Sequence, residues 1–348
     1  MLAGAHDVGK DGWIGRGEEV VFARSLAEVI RMERRIRVGS IGWGATSSLW
    51  RDLIGGPLVA VAVCEADAAL AEDIRGSYRL DGAYTEVRAM LSEADLGAVL
   101  IGSPLGDYGE VVRTCLQAGL HVYAMPPGAS SHDEADSFAA HAAYSSSVGM
   151  VGFPLRHAPA HSEIRRILAE RPYGRALAAR LRWTEPRTSD DFETWLARAA
   201  MAPIDLLRAF LGDFTEISVR RLVQASGRYG VIVSAATRND TVITVEITSV
   251  GDPPHSRFEV EVSGVGWRAG AADTDQYWLS PPSQPAQFRR VTNVAAGPEA
   301  DSDRTGRRQA LAIFAEAISD SRPIADDFTS AARTLEHIDR IVREARVL

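Results

Sequence analysis

Short apolar runs alternate with stretches of helical periodicity between Ile36 and about Phe153. Runs that are apolar at successive positions predict strands buried on both faces, and the helices between them predict a parallel sheet covered on both sides. This part of the chain is therefore expected to be a doubly wound α/β domain. The predicted strands are Arg37–Ile41, Leu58–Val63, Ala98–Ile101, His121–Ala124 and Gly149–Phe153. The predicted helices include Asp67–Arg75, Tyr108–Ala118 and His132–Tyr144.

The pattern changes beyond Pro154, where two helices and a series of alternating strands follow. Asn239-Asp240 lies between two β-branched runs, where a tight turn joins antiparallel strands, so a largely antiparallel sheet is expected. The segment Gly264–Asp303 is rich in Gly, Pro and Ser and is predicted to form loops, after which two amphipathic helices close the chain. The predicted elements are helices Ala158–Glu170 and Phe192–Leu211 and strands Ala176–Trp183, Val219–Val223, Val231–Thr237, Val242–Ser249 and Arg257–Val262.

Three segments follow from these patterns. Residues 1–35 are predicted to be an N-terminal extension with a helix near Ser25–Arg34. Residues 36–153 are predicted to be the doubly wound domain, and residues 154–348 a second α/β domain with a large, mostly antiparallel open sheet.

The composition is typical of a globular protein, with 46% hydrophobic and 24% charged residues in a chain of 348. No run reaches the roughly 18 apolar residues of a membrane span, and the N-terminus lacks the features of an export signal, so a cytoplasmic protein is expected. A net charge of −8 argues against a nucleic-acid partner. Cys64 and Cys115 have apolar neighbours and are predicted to be free thiols. Lys10 is the only lysine, so arginine supplies every other basic side chain apart from histidine.

A glycine-rich turn follows the first predicted strand. Gly42-Trp-Gly44-Ala-Thr-Ser47 has the spacing of a dinucleotide-binding turn, in which the glycines allow a tight bend and close approach of a pyrophosphate to the backbone. Glu65 ends the second strand, where an acid binds the ribose hydroxyls of NAD and repels the 2′-phosphate of NADP. Ser47 stands where a third glycine or alanine is usual. A flavodoxin-like turn with an ordinary strand-end glutamate is the alternative interpretation.

Further segments resemble one enzyme family in their order and spacing. They are Gly42-Trp-Gly44, Val61-Ala-Val-Cys-Glu65, Ile101-Gly-Ser-Pro104, Ala118-Gly-Leu-His-Val122, Gly152-Phe-Pro-Leu-Arg156-His-Ala-Pro159 and Ile204-Asp205-Leu-Leu-Arg-Ala-Phe-Leu-Gly212. This order is similar to that of the Gfo/Idh/MocA oxidoreductases, named for glucose–fructose oxidoreductase, inositol dehydrogenase and a rhizopine catabolism protein.

The resemblance implies an N-terminal Rossmann domain that binds NAD and a second domain whose sheet carries a small-molecule substrate on one face. It also implies a homodimer or homotetramer formed through the C-terminal sheet, and oxidation of a ring hydroxyl, or reduction of the matching ketone, on a sugar, nucleotide sugar or cyclitol. The cofactor-binding residues that it implies are Gly42, Gly44, Ala45, Thr46, Glu65, Ser103, Pro104, Met125 and Pro126.

Two positions depart from the family pattern. Where the family has Glu-Lys-Pro after the fifth strand, this chain has Met125-Pro126-Pro127, so the lysine that contacts the reacting oxygen is absent. Where the family has His-x-x-Asp, this chain has Ala202-Pro-Ile-Asp205, so the histidine is absent as well. The two prolines stiffen the loop and present an apolar wall where the family has a proton-moving group.

Other residues are candidates for the proton transfer and for substrate binding. Tyr108 is the candidate catalytic acid, with packing at the helix start or against the cofactor as the alternative. Asp205 is a candidate base or substrate ligand, with a surface ion pair to Arg208 as the alternative. Arg156 and His157 are candidate substrate ligands, with salt bridging or capping as the alternative. The acidic segment Glu185–Asp191 can bind a polyol or a cation, although a solvated loop is favoured. No metal-ligand spacing is found.

The function predicted from the sequence is an NAD(H)-dependent oxidoreductase acting on a small cyclic substrate, such as a sugar, nucleotide sugar, cyclitol or related ketone or imine, with an atypical proton-transfer site. One alternative is a catalytically silent protein that binds NAD or a ligand and acts as a partner or sensor. Another is a non-redox enzyme, a cyclase or lyase, on the same fold.

Overall fold

The computed structural model describes residues 35–102, 107–186, 188, 190–224, 227–251, 256–274, 276–290 and 305–346. The helix predicted near Ser25–Arg34, with nearly all of the N-terminal extension, lies outside the described residues. So do Ser103 and Pro104, which were predicted to contact the cofactor.

The first domain is a parallel sheet of six strands in the order β3-β2-β1-β4-β5-β6. This is the strand order of a Rossmann fold, in which ligands bind at the carboxyl ends of the strands where the order reverses, between β1 and β4. All five predicted strands are present, and the short strand β3 and helix α3 were not predicted. The strands are β1 Ile36–Ile41, β2 Leu58–Cys64, β3 Gly82–Tyr84, β4 Ala98–Ile101, β5 His121–Ala124 and β6 Gly149–Val151. The helices are α1 Leu49–Leu53, α2 Ala68–Tyr78, α3 Val87–Glu93, α4 Tyr108–Gln117 and α5 His132–Ser145.

The second domain is built on a sheet of eight strands in the order β14-β13-β12-β11-β7-β10-β9-β8. Every described pairing is antiparallel except that of β7 with β10, which is parallel. The strands are β7 Ala178–Thr184, β8 Phe214–Val223, β9 Tyr229–Thr237, β10 Val242–Thr248, β11 Arg257–Gly264, β12 Trp267–Ala272, β13 Gln276–Ser280 and β14 Gln287–Arg290. The helices that cover one face are α6 Pro159–Glu170 and α7 Phe192–Leu211, which follow a single turn of 3₁₀-helix at Pro154–His157.

The prediction that Gly264–Asp303 forms loops is wrong for the described part of that segment, because three strands lie within it. In β12, Trp267, Ala269 and Ala271 alternate toward the core and are buried, so small residues supply the period-two pattern of a half-buried strand. The glycines and prolines of this segment lie mainly in the turns between the strands. Composition averaged over the whole segment therefore hid its alternation.

Two helices that follow the second sheet return to the first one. They are α8 Arg307–Asp320 and α9 Phe328–Arg346. Phe314 of α8 contacts Tyr123 of β5 edge-to-face, with ring centroids 5.7 Å apart. Phe328 of α9 contacts Phe138 of α5 in the same way at 5.5 Å. The first sheet is therefore covered partly by the last residues of the chain.

Candidate active site

The turn after β1 has the conformation that its glycines predict. Gly42 and Gly44 adopt positive φ angles of 66° and 68°, which side chains disfavour. No atom lies within 4 Å of the position that a Cβ of Gly44 would take, so the backbone is open to a ligand. Glu65 ends β2 beside it, and its Oε1 accepts a hydrogen bond of 2.8 Å from the Gly44 amide. The turn and the predicted ribose-binding acid are thus in direct contact.

The helix after this turn, α1, is only five residues long. It does not begin until Leu49, and Gly55, Gly56 and Pro57 follow its end. Two aromatic side chains, Trp50 and Tyr78, form hydrogen bonds to carbonyl groups of the turn. Trp50 Nε1 donates to the Gly44 carbonyl at 2.9 Å, and the Tyr78 hydroxyl, on a ring stacked against Trp50, donates to the Ala45 carbonyl at 3.4 Å.

These residues fit the adenosine half of a dinucleotide. The open backbone at Gly44 allows a phosphate to approach, and the Glu65 carboxylate lies where ribose hydroxyls would bind. The amides of Ala45 and Thr46, which are both exposed, complete the turn. NAD bound here would be held by Gly44, Glu65 and the loop that Trp50 supports.

The loop after β5, Met125–Gly128, is held by two hydrogen bonds to the Met125 carbonyl. The Met125 carbonyl accepts a hydrogen bond of 2.5 Å from the Tyr108 hydroxyl and another from the Gly128 amide. Burial raises the pKa of Tyr108, so its proton stays on the oxygen and is directed at this carbonyl. Pro126 and Pro127 lie between these anchors, joined by a cis peptide bond. The apolar wall predicted from the two prolines is present.

A cavity of about 830 Å³ opens between the two domains at this loop. Pro126 and Ala202, the positions where the family has its lysine and histidine, both line it. Most of the remaining wall is apolar. The lining residues are Met125, Pro126, Pro127, Ala129, Ser130, Phe153, Pro154, Leu155, Trp183, Glu185, Thr194, Ala197, Arg198, Met201, Ala202, Asp205, Ser256, Leu335, Ile338 and Asp339.

Asp205 lies in the wall of this cavity and takes part in a buried ion-pair network. Arg156 donates from Nε to Asp205 Oδ2 at 2.7 Å and from Nη2 to Asp205 Oδ1, and its Nη1 donates to Asp326 at 2.6 Å. Thr334 Oγ1 donates to Asp205 Oδ1 at 3.0 Å. His157 Nε2 contacts the other oxygen of Asp326, Oδ2. Arg156 and His157 are therefore bound to buried aspartates rather than directed at a substrate.

Burial and neighbouring charges both shift the pKa values of Asp205 and Asp326. Burial raises the pKa of the Asp205 carboxyl, and the charge and hydrogen bonds of Arg156 oppose that rise. At Asp326 burial also raises the pKa, but the hydrogen bond from His157 and the charge of Arg156 outweigh it and hold the pKa below its usual range. The alternative in which Asp205 is a surface group paired with Arg208 is wrong, because Asp205 is buried and Arg208 pairs with Asp213.

Glu185 is a site residue that the sequence interpretation undervalued. The solvated loop favoured for its segment is wrong at this position, since Glu185 is 8% exposed. Its Oε1 accepts a hydrogen bond from Trp183 Nε1 and its Oε2 one from Ser256 Oγ, both at 2.7 Å. The signal available in the sequence was the placement of Glu185 directly after β7, at the end of a strand with an alternating pattern.

Some of the predicted site residues therefore line the cavity, and others do not. Met125, Pro126 and Asp205 line it, whereas Arg156, His157 and Tyr108 lie behind its wall. Gly42, Gly44, Ala45, Thr46 and Glu65 lie together in the turn after β1.

The described residues contain no group of three or more metal-ligating side chains. Among the described helices, none has the length and apolar composition that crossing a membrane requires.

Comparison with known proteins agrees with this geometry. One curated relative is dehydrogenase aclE of Aspergillus oryzae, which is 26% identical over 166 residues, or 44% of this chain and 45% of the relative. The chain thus matches less than half the length of that relative. The family model that matches is described as an oxidoreductase family with an NAD-binding Rossmann fold, and the match covers residues 36–153.

Solved structures share the fold over most of the chain. A dehydrogenase from Chromobacterium violaceum superposes with a TM-score of 0.80 at 19% identity, covering 90% of this chain and 96% of the other. Levoglucosan dehydrogenase, solved with NADH and levoglucosan, gives 0.75 at 19% identity, covering 90% and 98%. Together with the glycine turn, its acidic partner and the strand order already described, the match makes residues 36–153 similar to the Gfo/Idh/MocA oxidoreductases, whose family model describes an NAD-binding Rossmann fold.

Proposed function

We propose that the protein is an NAD(H)-dependent oxidoreductase that acts on a small cyclic substrate held in the cavity between its domains. The cavity adjoins the loop after β5, at the carboxyl ends of the parallel strands, where a dinucleotide bound to the β1 turn would place its reactive end. The observation that carries the proposal is that Pro126 and Ala202 line this one cavity. The positions that handle protons in the family therefore adjoin the substrate space of this chain too.

NAD, when bound, supplies the hydride acceptor or donor. The chain's own residues bind and orient. Met125, Pro126 and Pro127 present a stiff apolar surface, and the Tyr108 hydroxyl fixes the loop through the Met125 carbonyl. Arg156 holds the Asp205 carboxylate in place, and among the described contacts Oδ2 accepts only from Arg156 Nε and so keeps one lone pair for a ligand in the cavity. Asp205 can therefore accept a hydrogen bond from a substrate hydroxyl and orient the ring.

A homodimer or homotetramer formed through the second sheet belongs to the same proposal. The face of that sheet opposite the helices carries charged side chains in register. Arg182 of β7 lies opposite Glu246 of β10 on one side and Glu259 of β11 on the other. Ile232 is 48% exposed on the same sheet. A surface that combines opposite charges with apolar side chains can pair with a second copy of itself.

Cofactor binding is tested by titrating the purified protein with NADH and following energy transfer from tryptophan to the nicotinamide. Gly44→Ala is expected to abolish binding, because its Cβ would fill the open approach and oppose a positive φ. Gly174→Ala is the matched control, since Gly174 also has a positive φ with nothing within 4 Å of its Cβ position, but lies after α6 in the second domain. Equal loss of NADH binding in both variants would refute the assignment of the turn after β1 as the NADH-binding site.

The second candidate function is a catalytically silent NAD-binding protein, favoured by the engaged state of the Tyr108 proton and the proline at position 126. The two candidates separate in a turnover assay. The protein is mixed with NAD and a panel of anhydro sugars, cyclitols and cyclic amines, and NADH absorbance is followed. Turnover of any member supports the enzyme. The silent protein is favoured if NADH binds tightly and members of the panel bind in the cavity, but none of them is turned over.

A further inference from the structure

The charges on the cavity wall are unbalanced. Among the described residues that line it, three carboxylates belong to Glu185, Asp205 and Asp339, and one guanidinium belongs to Arg198. Arg198 already lies 3.4 Å from Asp190, so part of its charge is compensated outside the cavity. A wall of this kind repels phosphates and carboxylates and favours a positively charged ligand.

The three carboxylates are not equivalent. Asp205 is neutralised by the bidentate contact of Arg156, and Asp339 lies 3.2 Å from His132 Nδ1. Glu185 accepts only from neutral donors, the Trp183 indole and the Ser256 hydroxyl. No described arginine or histidine forms an ion pair with it. Asp339 is 51% exposed at its side chain, so Glu185 is the buried carboxylate on this wall that contacts no described arginine or histidine.

The two donors hold the Glu185 carboxylate in one orientation. Trp183 stacks on Phe258 with ring centroids 5.1 Å apart, so the indole that donates to Oε1 is itself fixed. Each oxygen uses one lone pair for these bonds and keeps another free. A carboxylate that is 8% exposed in a largely apolar cavity is poorly solvated, and an incoming cation would restore what burial removed.

We infer that Glu185 anchors a positively charged nitrogen in the small cyclic substrate of this site. The inference rests on the proposed function for the word substrate, but the anchor itself requires only the cavity and Glu185. It narrows the substrate class from neutral and anionic sugars, including nucleotide sugars, to ring compounds that carry a protonated amine or another nitrogen cation. Trp183 and Ser256 are positioning residues, because they act through the Glu185 carboxylate.

The test compares two ligands of nearly the same shape. Hydroxypiperidine is protonated at neutral pH, and hydroxytetrahydropyran is its neutral ring-oxygen counterpart. Binding of each is measured by saturation-transfer NMR and calorimetry, with and without NADH. Hydroxypiperidine is expected to bind about 10- to 100-fold more tightly, the range for a hydrogen bond to a charged group. Equal binding, or no binding of either, would overturn the proposal.

Variants identify the carboxylate responsible. Glu185→Gln keeps the size and one acceptor of the side chain and is expected to remove the preference for hydroxypiperidine. Asp339→Asn, on the same wall, is expected to keep it, and loss of the preference there instead would overturn the assignment to Glu185. Ser256→Ala removes one hydrogen-bond donor from Glu185 without removing its charge, so it is expected to keep the preference for hydroxypiperidine. A preference that is kept in Ser256→Ala and lost in Glu185→Gln shows that the charge, and not a local disturbance of the cavity, is responsible.

Two further controls keep the result specific. The protein has a net charge of −8 and attracts cations generally, so the titrations are repeated at high salt, where attraction at the surface is screened and a buried contact is not. A preference that vanishes with salt would refute the anchor. NADH binding is measured separately. Normal NADH binding without the ligand preference refutes only the anchor, and the preference without NADH binding refutes only the oxidoreductase.

Discussion

Replacing Arg156 with methionine tests whether the buried ion-pair network is structural. The Arg156 side chain is 5% exposed and contacts Asp205 and Asp326, whose side chains are 2% and 5% exposed. The substitution would leave the largely buried Asp205 carboxylate without its cation. Removing one partner of a buried pair costs about 3–5 kcal/mol, because the remaining charge is no longer compensated.

The assay is urea unfolding at pH 7, followed by tryptophan fluorescence. Arg156→Met is expected to lower the free energy of unfolding by about 3–5 kcal/mol. Arg166→Met is the matched control, because Arg166 is 53% exposed in its pairs with Glu163 and Glu170, and its replacement should lower the free energy of unfolding far less. Equal losses in the two variants would refute the structural role of Arg156.

The loss should also depend on pH in a definite direction. In the variant the folded-state pKa of Asp205 lies above its unfolded value, because burial is no longer opposed by Arg156. The folded state then binds a proton more tightly, so its stability rises as pH falls toward that pKa. In the wild type Asp326 has a depressed pKa and contributes stability that is lost as pH falls through the folded value. The difference between the two proteins should therefore shrink as pH falls through the raised folded-state pKa of Asp205, and a constant difference would contradict the assignment.

Three further outcomes are expected. Glu65→Gln keeps an acceptor for the Gly44 amide but removes the charge, so the preference for NADH over NADPH in fluorescence titrations should fall at least about tenfold. Tyr108→Phe should loosen the proline loop and destabilise the protein by about 1 kcal/mol, while turnover changes little; a loss of turnover above about 100-fold with intact NADH binding would make Tyr108 the proton donor. Cys64 and Cys115, whose pKa burial raises to about 12, should resist iodoacetamide at pH 8 until urea is added, and rapid labelling of the folded protein would contradict their burial.

Local patterns predicted the first domain well because its strands are apolar at successive positions and its helices are periodic. The dinucleotide turn was readable for the same reason, since Gly42, Gly44 and Glu65 carry their roles in spacing alone. β3 escaped notice because Gly82–Tyr84 is three half-buried residues with no periodicity to detect.

What the sequence could not supply are contacts between distant residues. The alternative interpretation of Asp205 paired it with Arg208 on its own helix, but its partner is Arg156, 49 positions away. Glu185 accepts a hydrogen bond from Ser256, 71 positions away, and no local pattern predicts this contact. Tertiary packing sets the partners of each carboxylate and so decides which of them remain available to a ligand. The charge distribution of the cavity could therefore be determined only from the structure.

The return of α8 and α9 to the first sheet has a consequence for how the chain is made. During synthesis the strands of the first sheet are translated before the second sheet, and Phe314 and Phe328, which cover the first sheet, are translated only after the second sheet. Until then, apolar side chains of β1, β4 and β5 lack part of their cover. That apolar surface therefore stays partly exposed for as long as it takes to translate the second sheet, and the nascent chain is most prone to aggregate during this interval.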